Sequence, residues 1–332
     1  MGRTKSRKLP VDVLKIIACF CVLLLHTCPP ENHWFAQQPL YLLGVFGIPL
    51  FFMVNGYLLY SKELNCKYMS KKIVHNVRLV LCWSIPLTML VSIKNFRGGV
   101  ELIYGIVQGR GLLFHFWFLF ALVIIHAIVF LLNLICQKFR KKAIQEVLSG
   151  KTLAFTIASI FEVHVVNVLI YNNYSLTIRE IVIPPLRVIT NLGYFFLGMH
   201  LAKHRFKKDG LMSAVLIFVF FLSAISVILL DNYVYSFTWA SNYYNTLVVI
   251  TGSISLFVAL LKLNLKREKT IEMFVQFTMP IYILHPFLIK VIGGIFRVNG
   301  MYYSALCFLA VIIGVPIITL IFRKVRLSFL ID

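Results

Sequence analysis

The sequence predicts an all-α, polytopic transmembrane helical bundle of about ten helices, and composition, apolar runs and charge placement each indicate it. Of the 332 residues, 60% are hydrophobic and 14% are charged. Soluble domains contain about 25% charged residues, so this composition excludes an ordinary soluble protein. Lys and Arg number 33 against 12 Asp and Glu, and the basic residues lie between long apolar runs.

Ten apolar runs have the length that a membrane span requires, because a hydrocarbon core about 30 Å thick takes about 20 residues of helix. The runs cover residues 11–28, 40–60, 77–94, 114–136, 152–171, 184–202, 211–230, 245–263, 273–296 and 303–322. The first run ends in Pro29 and Pro30 without a small-residue cleavage pattern, so we expect a retained helix, not a signal peptide. Residues 98–113 are too short and too rich in glycine to span, and we expect them to be re-entrant or interfacial. We treat residues 1–332 as a single integral-membrane domain.

The basic residues alternate between the two sides of the predicted bundle. The N-terminus, the even-numbered loops and the C-terminal tail hold 24 of the 33 Lys and Arg residues, and the opposite loops hold five. Cytoplasmic loops retain Lys and Arg, so both termini are predicted to be cytoplasmic. The lipid bilayer thereby accounts for the basic charge, and no nucleic acid partner is needed.

Lys15 and His26 place ionisable groups in the first run, where burial in lipid is costly. They are eleven residues apart, which is close to three helical turns and about 16 Å along the axis, so both share one face. Lys15 could bind an anion at the inner surface, or it could be a snorkelling anchor. His26 could act in the outer half of the membrane, or it could bond a neighbouring carbonyl at the interface. Asp12, three residues before Lys15, is expected to pair with it.

Other polar residues lie in or beside the later runs. The second run contains Asn55, Gly56 and Tyr57 after a proline, a pattern that indicates either a loosened helix beside a cavity or close packing alone. Further candidates are His115, Trp117, Glu162, His164, Arg187 and His285. An ion pair with a cation is the expected explanation of Glu162.

The cytoplasmic entry to the third run is basic, with Lys71, Lys72, His75 and Arg78. This cluster suits phosphate recognition, and positive-inside bias produces the same pattern. The outer segment 231–244 contains no Lys or Arg and five aromatic residues, which indicate either an interfacial aromatic belt or carbohydrate stacking. They are Tyr233, Tyr235, Trp239, Tyr243 and Tyr244.

The cysteines and the common catalytic motifs point to no metal and no covalent nucleophile. The seven cysteines form no CxxC pair, and most lie in apolar stretches, so neither a disulfide framework nor a zinc site is predicted. The sequence contains no GxSxG, HExxH or P-loop pattern.

Four motifs in order resemble the membrane-bound acyltransferase-3 family, which comprises O-acyltransferases of bacterial envelope polysaccharides. They are Asp12-x-x-Lys15 with His26, Ile48-Pro49-Leu50-Phe51-Phe52-x-x-Asn55-Gly56-Tyr57-Leu58, His115-x-Trp117-Phe118-Leu119, and Ile281-Tyr282-x-x-His285. The resemblance runs from the first apolar run to the ninth. The length is similar to that of the short stand-alone members.

The resemblance implies acetyl transfer from cytoplasmic acetyl-CoA to a sugar hydroxyl on the far side of a bacterial inner membrane, with no metal. Lys15 would hold the anionic end of CoA, and His26 would be the general base. The chemistry of the reaction agrees with these roles. A hydroxyl nucleophile needs a base, which histidine supplies, and a thioester is already an activated acyl donor, so no metal or covalent nucleophile is needed. The candidate donor- and acceptor-binding residues are Asp12, Lys15, Asn55, Tyr57, Lys72, His75, Arg78, His115, Trp117, Arg187 and His285.

Three positions depart from the family pattern. Lys15 stands where the family has Arg and lacks the bidentate guanidinium fork. Lys72-Ile73-Val74-His75 replaces an RxxR pair, and Asn55 replaces a Ser. Two other functions are compatible with the residues. One is a transporter or flippase, although no paired half-repeats are detected. The other is a non-catalytic partner in polysaccharide export.

Overall fold

The computed structural model describes residues 9–28, 37–94, 96–108, 111, 113–173, 176–235, 242–266, 268–296 and 300–331. Every regular element in these residues is helical, which confirms the predicted fold class. A helix satisfies all of its interior backbone groups within one segment, as lipid requires.

Fourteen α-helices are numbered along the chain. They are α1 (Leu9–Thr27), α2 (Gln37–Gly44), α3 (Gly47–Tyr60), α4 (Cys66–Lys94), α5 (Phe96–Gln108), α6 (Trp117–Arg140), α7 (Ile144–Val147), α8 (Gly150–Asn173), α9 (Leu176–Lys203), α10 (Gly210–Leu230), α11 (Leu247–Lys262), α12 (Lys269–Val275), α13 (Thr278–Ile295) and α14 (Met301–Lys324). Short 3₁₀ turns at Phe114–Phe116 and Ser328–Leu330 and a π-turn at Asp231–Tyr235 complete the described elements.

Each of the ten predicted runs coincides with one helix or with two consecutive helices. Eight helical segments in the described chain are long and apolar enough to cross a membrane, and α11 is a shorter apolar helix. The protein is therefore a multi-pass membrane protein. The count of ten crossings and the cytoplasmic termini stay predictions.

Two of the runs are broken where a proline begins a new helix. Pro49 and Pro280 are each the third residue of their helix, in α3 and α13. Proline has no backbone N–H, and the N–H groups in the first turn of a helix have no intrahelical acceptor. Both prolines are therefore tolerated in the first turn without loss of a hydrogen bond. α5, with 13 residues, is too short to span, as expected for residues 98–113.

α1 lies at the centre of the bundle, in contact with α2, α3, α11, α12, α13 and α14. Glycines permit its close approach to α2 and α3. A Cβ atom on Gly47 would lie 2.9 Å from the Ala18 carbonyl oxygen, and one on Gly44 would lie 2.6 Å from that of Cys21. The peripheral helices α10 and α14 expose apolar side chains such as Phe218 and Ile313, as lipid contact requires. The central helix thus carries Lys15 and His26.

α3 and α9 cross at two reciprocal glycines. A Cβ atom on Gly56 would lie 1.9 Å from the Phe195 carbonyl oxygen, and one on Gly198 would lie 1.9 Å from that of Met53. Small residues allow such backbone contact between membrane helices. Of the two explanations for Asn55-Gly56, the structure therefore favours packing for the glycine.

Candidate functional site

Three histidines from three separate elements meet at one end of α1. The His26 and His285 rings are stacked, with centroids 5.0 Å apart and an interplanar angle of 28°. The His115 ring lies 5.8 Å from that of His285. Phe114 contacts His26 edge-on at 5.0 Å. We call His26, His115 and His285 the histidine cluster.

Tyr282 fixes the relative position of two members of the histidine cluster. It lies on α13 one turn before His285, and its hydroxyl donates a hydrogen bond to the His115 carbonyl oxygen. This contact joins α13 to the 3₁₀ turn that precedes α6. Tyr282 was part of the family motif, but its anchoring role was not predicted; its spacing of three residues from His285 was the available signal.

The hydrogen bonding of His285 sets which of its nitrogens can react. Its Nδ1 lies 2.9 Å from the Ile281 carbonyl oxygen, and a carbonyl can only accept, so Nδ1 carries the proton. In the neutral ring Nε2 is then an unprotonated acceptor. This Nε2 is buried and has no hydrogen-bond partner in the described structure. The histidine cluster thus offers a free basic lone pair on His285.

Lys15 lies at the other end of the same helix face. Its Nζ is 3.3 Å from Oδ1 of the buried Asp12, as the spacing predicted. The charge of Lys15 also acts on Lys72 of α4, and that of Lys72 acts on His126 of α6. Lys15 of α1 and Lys72 of α4 therefore bring two positive charges together at this end.

The α1 face between Lys15 and His26 lines a narrow void. Cys19, Val22 and Leu23 of α1 meet Phe51 of α3 and the α13 residues Ile281, Tyr282 and His285 around it. The void has room for about one water molecule. The middle of this face thus points into the protein; at its ends, His26 stacks on His285 and the Lys15 side chain is 29% exposed.

A larger cavity of about 480 Å³ lies near the start of α4. Its lining includes Lys62, Asn65, Cys66, Asn133 and Gln145. Asn133 lies two turns from His126 on α6, and Cys66 lies six residues from Lys72 on α4. The cavity therefore lies within about 10 Å, along α4, of Lys72.

Arg187 of α9 stacks on Trp117, with its Cζ 4.9 Å from the ring centroid. Trp117 is only two residues from His115 of the histidine cluster. Of the predicted residues, the structure thus groups His26, His115 and His285, with Trp117 and Arg187 beside them. It separately groups Asp12, Lys15 and Lys72.

Four other predicted residues belong to neither group. The Asn55 Nδ2 donates to the Phe51 carbonyl of its own helix at 2.9 Å. Tyr57 packs on Phe257 of α11, with centroids 5.5 Å apart. His75 and Arg78 contact each other at 3.3 Å on α4.

Two expectations about polar and aromatic residues were wrong. Glu162 is exposed on α8, and no described cation pairs with it; a single apolar run cannot tell which helix face will turn outward. Tyr243 and Tyr244 are buried and do not form a surface belt. The Tyr243 hydroxyl donates to Asp231, and the Tyr244 carbonyl accepts from Tyr194 at 2.5 Å. Tyr233 is exposed, in keeping with a belt position. Trp239 and the Tyr235 side chain lie outside the described part of the protein.

Comparison with known proteins gives one family and one curated relative. The family model described as an acyltransferase domain matches residues 10–323. A protein from Enterococcus faecalis named amino-acid racemase is 23% identical over 351 aligned positions, which cover 98% of this chain and 48% of that protein. The chain thus spans about half the length of this relative. No solved structure matches.

The family match covers all four sequence motifs and both groups of candidate residues, from Asp12 at the start of α1 to His285 in α13. It also agrees with the all-helical, multi-pass architecture. The chain therefore belongs to the membrane acyltransferase-3 family.

Proposed function

We propose that this protein transfers an acetyl group from acetyl-CoA, bound at the Lys15 end, to a hydroxyl of a cell-envelope polysaccharide or lipid-linked sugar at the histidine cluster. The observation that carries the proposal is the inward face of α1. It has a paired cation at one end, a clustered imidazole at the other and a void between them. The membrane would be the bacterial inner membrane, with the Lys15 end in the cytoplasm.

The donor end suits an anionic thioester. Lys15 and Lys72 supply positive charge for the CoA phosphates, and lysine binds phosphate as a point charge. The neighbouring cavity of about 480 Å³ has the size of a small-molecule site. The acyl arm would follow the α1 face towards His26, which requires Phe51 and Tyr282 to move apart because the void is narrow.

The chemistry at the histidine cluster needs one base and no covalent intermediate. His26 takes the proton of the acceptor hydroxyl while the hydroxyl oxygen attacks the thioester carbonyl carbon. The tetrahedral intermediate collapses with cleavage of the C–S bond. The leaving thiolate takes the proton from His26, and the products are the sugar ester and CoA. His285, whose Nδ1 is bound to Ile281, holds the stacked His26 ring in place.

No observation favours the transporter or the scaffold reading over this proposal. The curated relative is named amino-acid racemase, but the match covers only 48% of that protein.

The test is a comparison of His26→Ala with His204→Ala, which removes an exposed histidine in the segment after α9. The full-length variants are expressed in cells that lack the gene, and the envelope glycans are analysed by mass spectrometry. We expect His26→Ala to lower acetylation about 10²–10⁴-fold while the protein stays inserted, because a general base contributes that much. His204→Ala should keep wild-type acetylation. Equal acetylation in the two variants would sink the proposal.

A further inference from the structure

A second polar site lies beside the histidine cluster, on the face of α9 that meets Trp117. Arg187, Thr190, Asn191 and Tyr194 have the spacing of residues three, four and seven positions apart, so they share this face. The Arg187 guanidinium stacks on the Trp117 ring at 4.9 Å.

The segment before α11 is bound to this face of α9. The Thr190 hydroxyl donates to Oδ1 of Asn245 at 3.0 Å, and the Tyr194 hydroxyl donates to the Tyr244 carbonyl oxygen. Tyr244 also lies close enough to Arg187 for the two groups to interact electrostatically. The site is thus enclosed by Trp117 of α6 on one side and by Tyr244 and Asn245 on the other.

Several polar atoms at the site are buried but lack a hydrogen-bond partner in the described structure. Asn191 is 0% exposed, and neither atom of its amide group has a partner. The Arg187 Nε and the Asn245 Nδ2 are in the same state. Each such group costs about 1–3 kcal/mol if it stays unsatisfied, so these three donors and one acceptor indicate a polar ligand.

The charge of Arg187 indicates the sign of that ligand. Among the described side chains no carboxylate pairs with Arg187. Asp231 accepts hydrogen bonds from Gln38 and Tyr243 on its two oxygens. A buried cation is stable only when it is compensated, and a bound anion would supply the compensation.

We propose that Arg187, Asn191 and Trp117 bind an anionic group of the acceptor, a carboxylate or a phosphate, and so hold its hydroxyl at the histidine cluster. The guanidinium fork matches both groups in geometry, and the Asn191 amide adds a donor. The Trp117 ring, which lies against the guanidinium, would pack on the sugar. The proposal rests on the proposed function and narrows its substrate class to acidic sugars or sugar phosphates.

The experiment measures ligand binding and does not depend on catalysis. The full-length protein in lipid nanodiscs is titrated with methyl glucuronide, with its uncharged methyl ester and with glucose 1-phosphate, and thermal unfolding reports binding. We expect one or both anionic probes to stabilise the wild type, while the ester does not. The responding probe tells a carboxylate acceptor from a phosphate acceptor. Equal stabilisation by the ester, or no stabilisation by either anion, would overturn the proposal.

Substitutions at Arg187, with one at Lys290 as a control, test whether Arg187 binds the anion. Arg187→Gln should weaken the anion response at least about 10-fold, because it removes a charge-assisted hydrogen bond. Lys290→Gln, which removes an exposed cation on α13, should leave the response unchanged. If Arg187→Gln does not fold, Arg187→Lys serves, since it keeps the charge but loses the fork. An unchanged affinity in Arg187→Lys would then contradict the proposal.

His26→Ala separates this proposal from the proposed function. It should bind the anionic probes as the wild type does, although it no longer transfers acetyl groups. Probe binding without any acetyl transfer in the wild type would sink the proposed function alone. Acetyl transfer that is indifferent to Arg187, with no probe binding, would sink the anion site alone.

Discussion

At the residue scale, the proposed mechanism depends on two side chains of α1, Lys15 and His26, which have different kinds of neighbours. Lys15 has an anionic neighbour, the buried Asp12, and a cationic one, Lys72. Asp12 offsets one positive charge, so a second anion is still favourable at this end. His26 has ring contacts with His285 and Phe114, which hold it by packing.

Replacing Lys15 with Gln should raise the KM for acetyl-CoA about 10–100-fold, because a hydrogen bond to a charged group contributes about 1.5–3 kcal/mol. The kcat should change less, since Lys15 lies far from the reacting carbonyl. Steady-state kinetics of the purified protein in nanodiscs measure both values. Asp12→Asn combined with Lys15→Gln controls for the unpaired carboxylate that the single change leaves. A KM that stays at the wild-type value in both variants would remove Lys15 from the donor site.

The ionisable residues were visible in the sequence, but most of their partners were not. Lys15 and His26 could be placed on one face because a helix has a fixed period. Asn191 and Asn245 were missed because a neutral amide in an apolar run carries no charge signal. Glu162 was given a partner that the described structure does not contain, because the run does not reveal which face of α8 turns outward.

At the element scale, the crossing of α3 and α9 determines how closely the helices beside the site can pack. At Gly56 and Gly198 the backbones are in direct contact. Phe195, at this crossing, also packs against His126 of α6, with ring centroids 5.7 Å apart. The same α9 that is held here carries Arg187 three turns earlier.

Gly198→Ala should destabilise the protein strongly, because its Cβ atom would lie 1.9 Å from a backbone oxygen and the helices would have to separate. Overpacking of this kind costs about 1–3 kcal/mol or more. Gly294→Ala is the matched control, since nothing lies within 4 Å of its Cβ position on α13. Thermal unfolding in nanodiscs should show a lower Tm for Gly198→Ala only. Equal Tm values would mean that the crossing is looser than described.

The apolar runs predicted where the helices lie, but not where they break. Hydropathy averages over a window, so a short interruption at residues 45–46 or 276–277 leaves the run apolar. Pro49 was interpreted as loosening a helix, whereas it lies in the first turn of one. Proline is compatible with either position, and only the neighbouring backbone distinguishes them.

At the scale of the whole molecule, the mechanism requires the two ends of α1 to lie on opposite sides of the membrane. The alternation of basic loops predicts this arrangement, and the helix bounds agree with the runs on which it rests. The central helix α1 and the peripheral helices α10 and α14 belong to one bundle. The sidedness of that bundle is therefore the prediction to test.

A variant that keeps Cys66 as its single cysteine tests the sidedness. Cys66 is exposed at the start of α4, near the cavity at the Lys15 end. A membrane-impermeant maleimide should label it only after the cells are permeabilised. The Tyr233→Cys variant without native cysteines, at an exposed position after α10, should be labelled in intact cells. Labelling of Cys66 in intact cells would reverse the predicted topology.

The narrowness of the void along α1 has a consequence for the proton gradient across the membrane. A catalyst that is entered from both faces of an energised membrane could also let protons leak down their gradient. Phe51, Ile281 and Tyr282 close this route with apolar bulk and leave room for about one water molecule, which is too little for a continuous hydrated wire. In the proposed mechanism, the side chains that would move apart for each turnover are thus the ones that would insulate the membrane between turnovers.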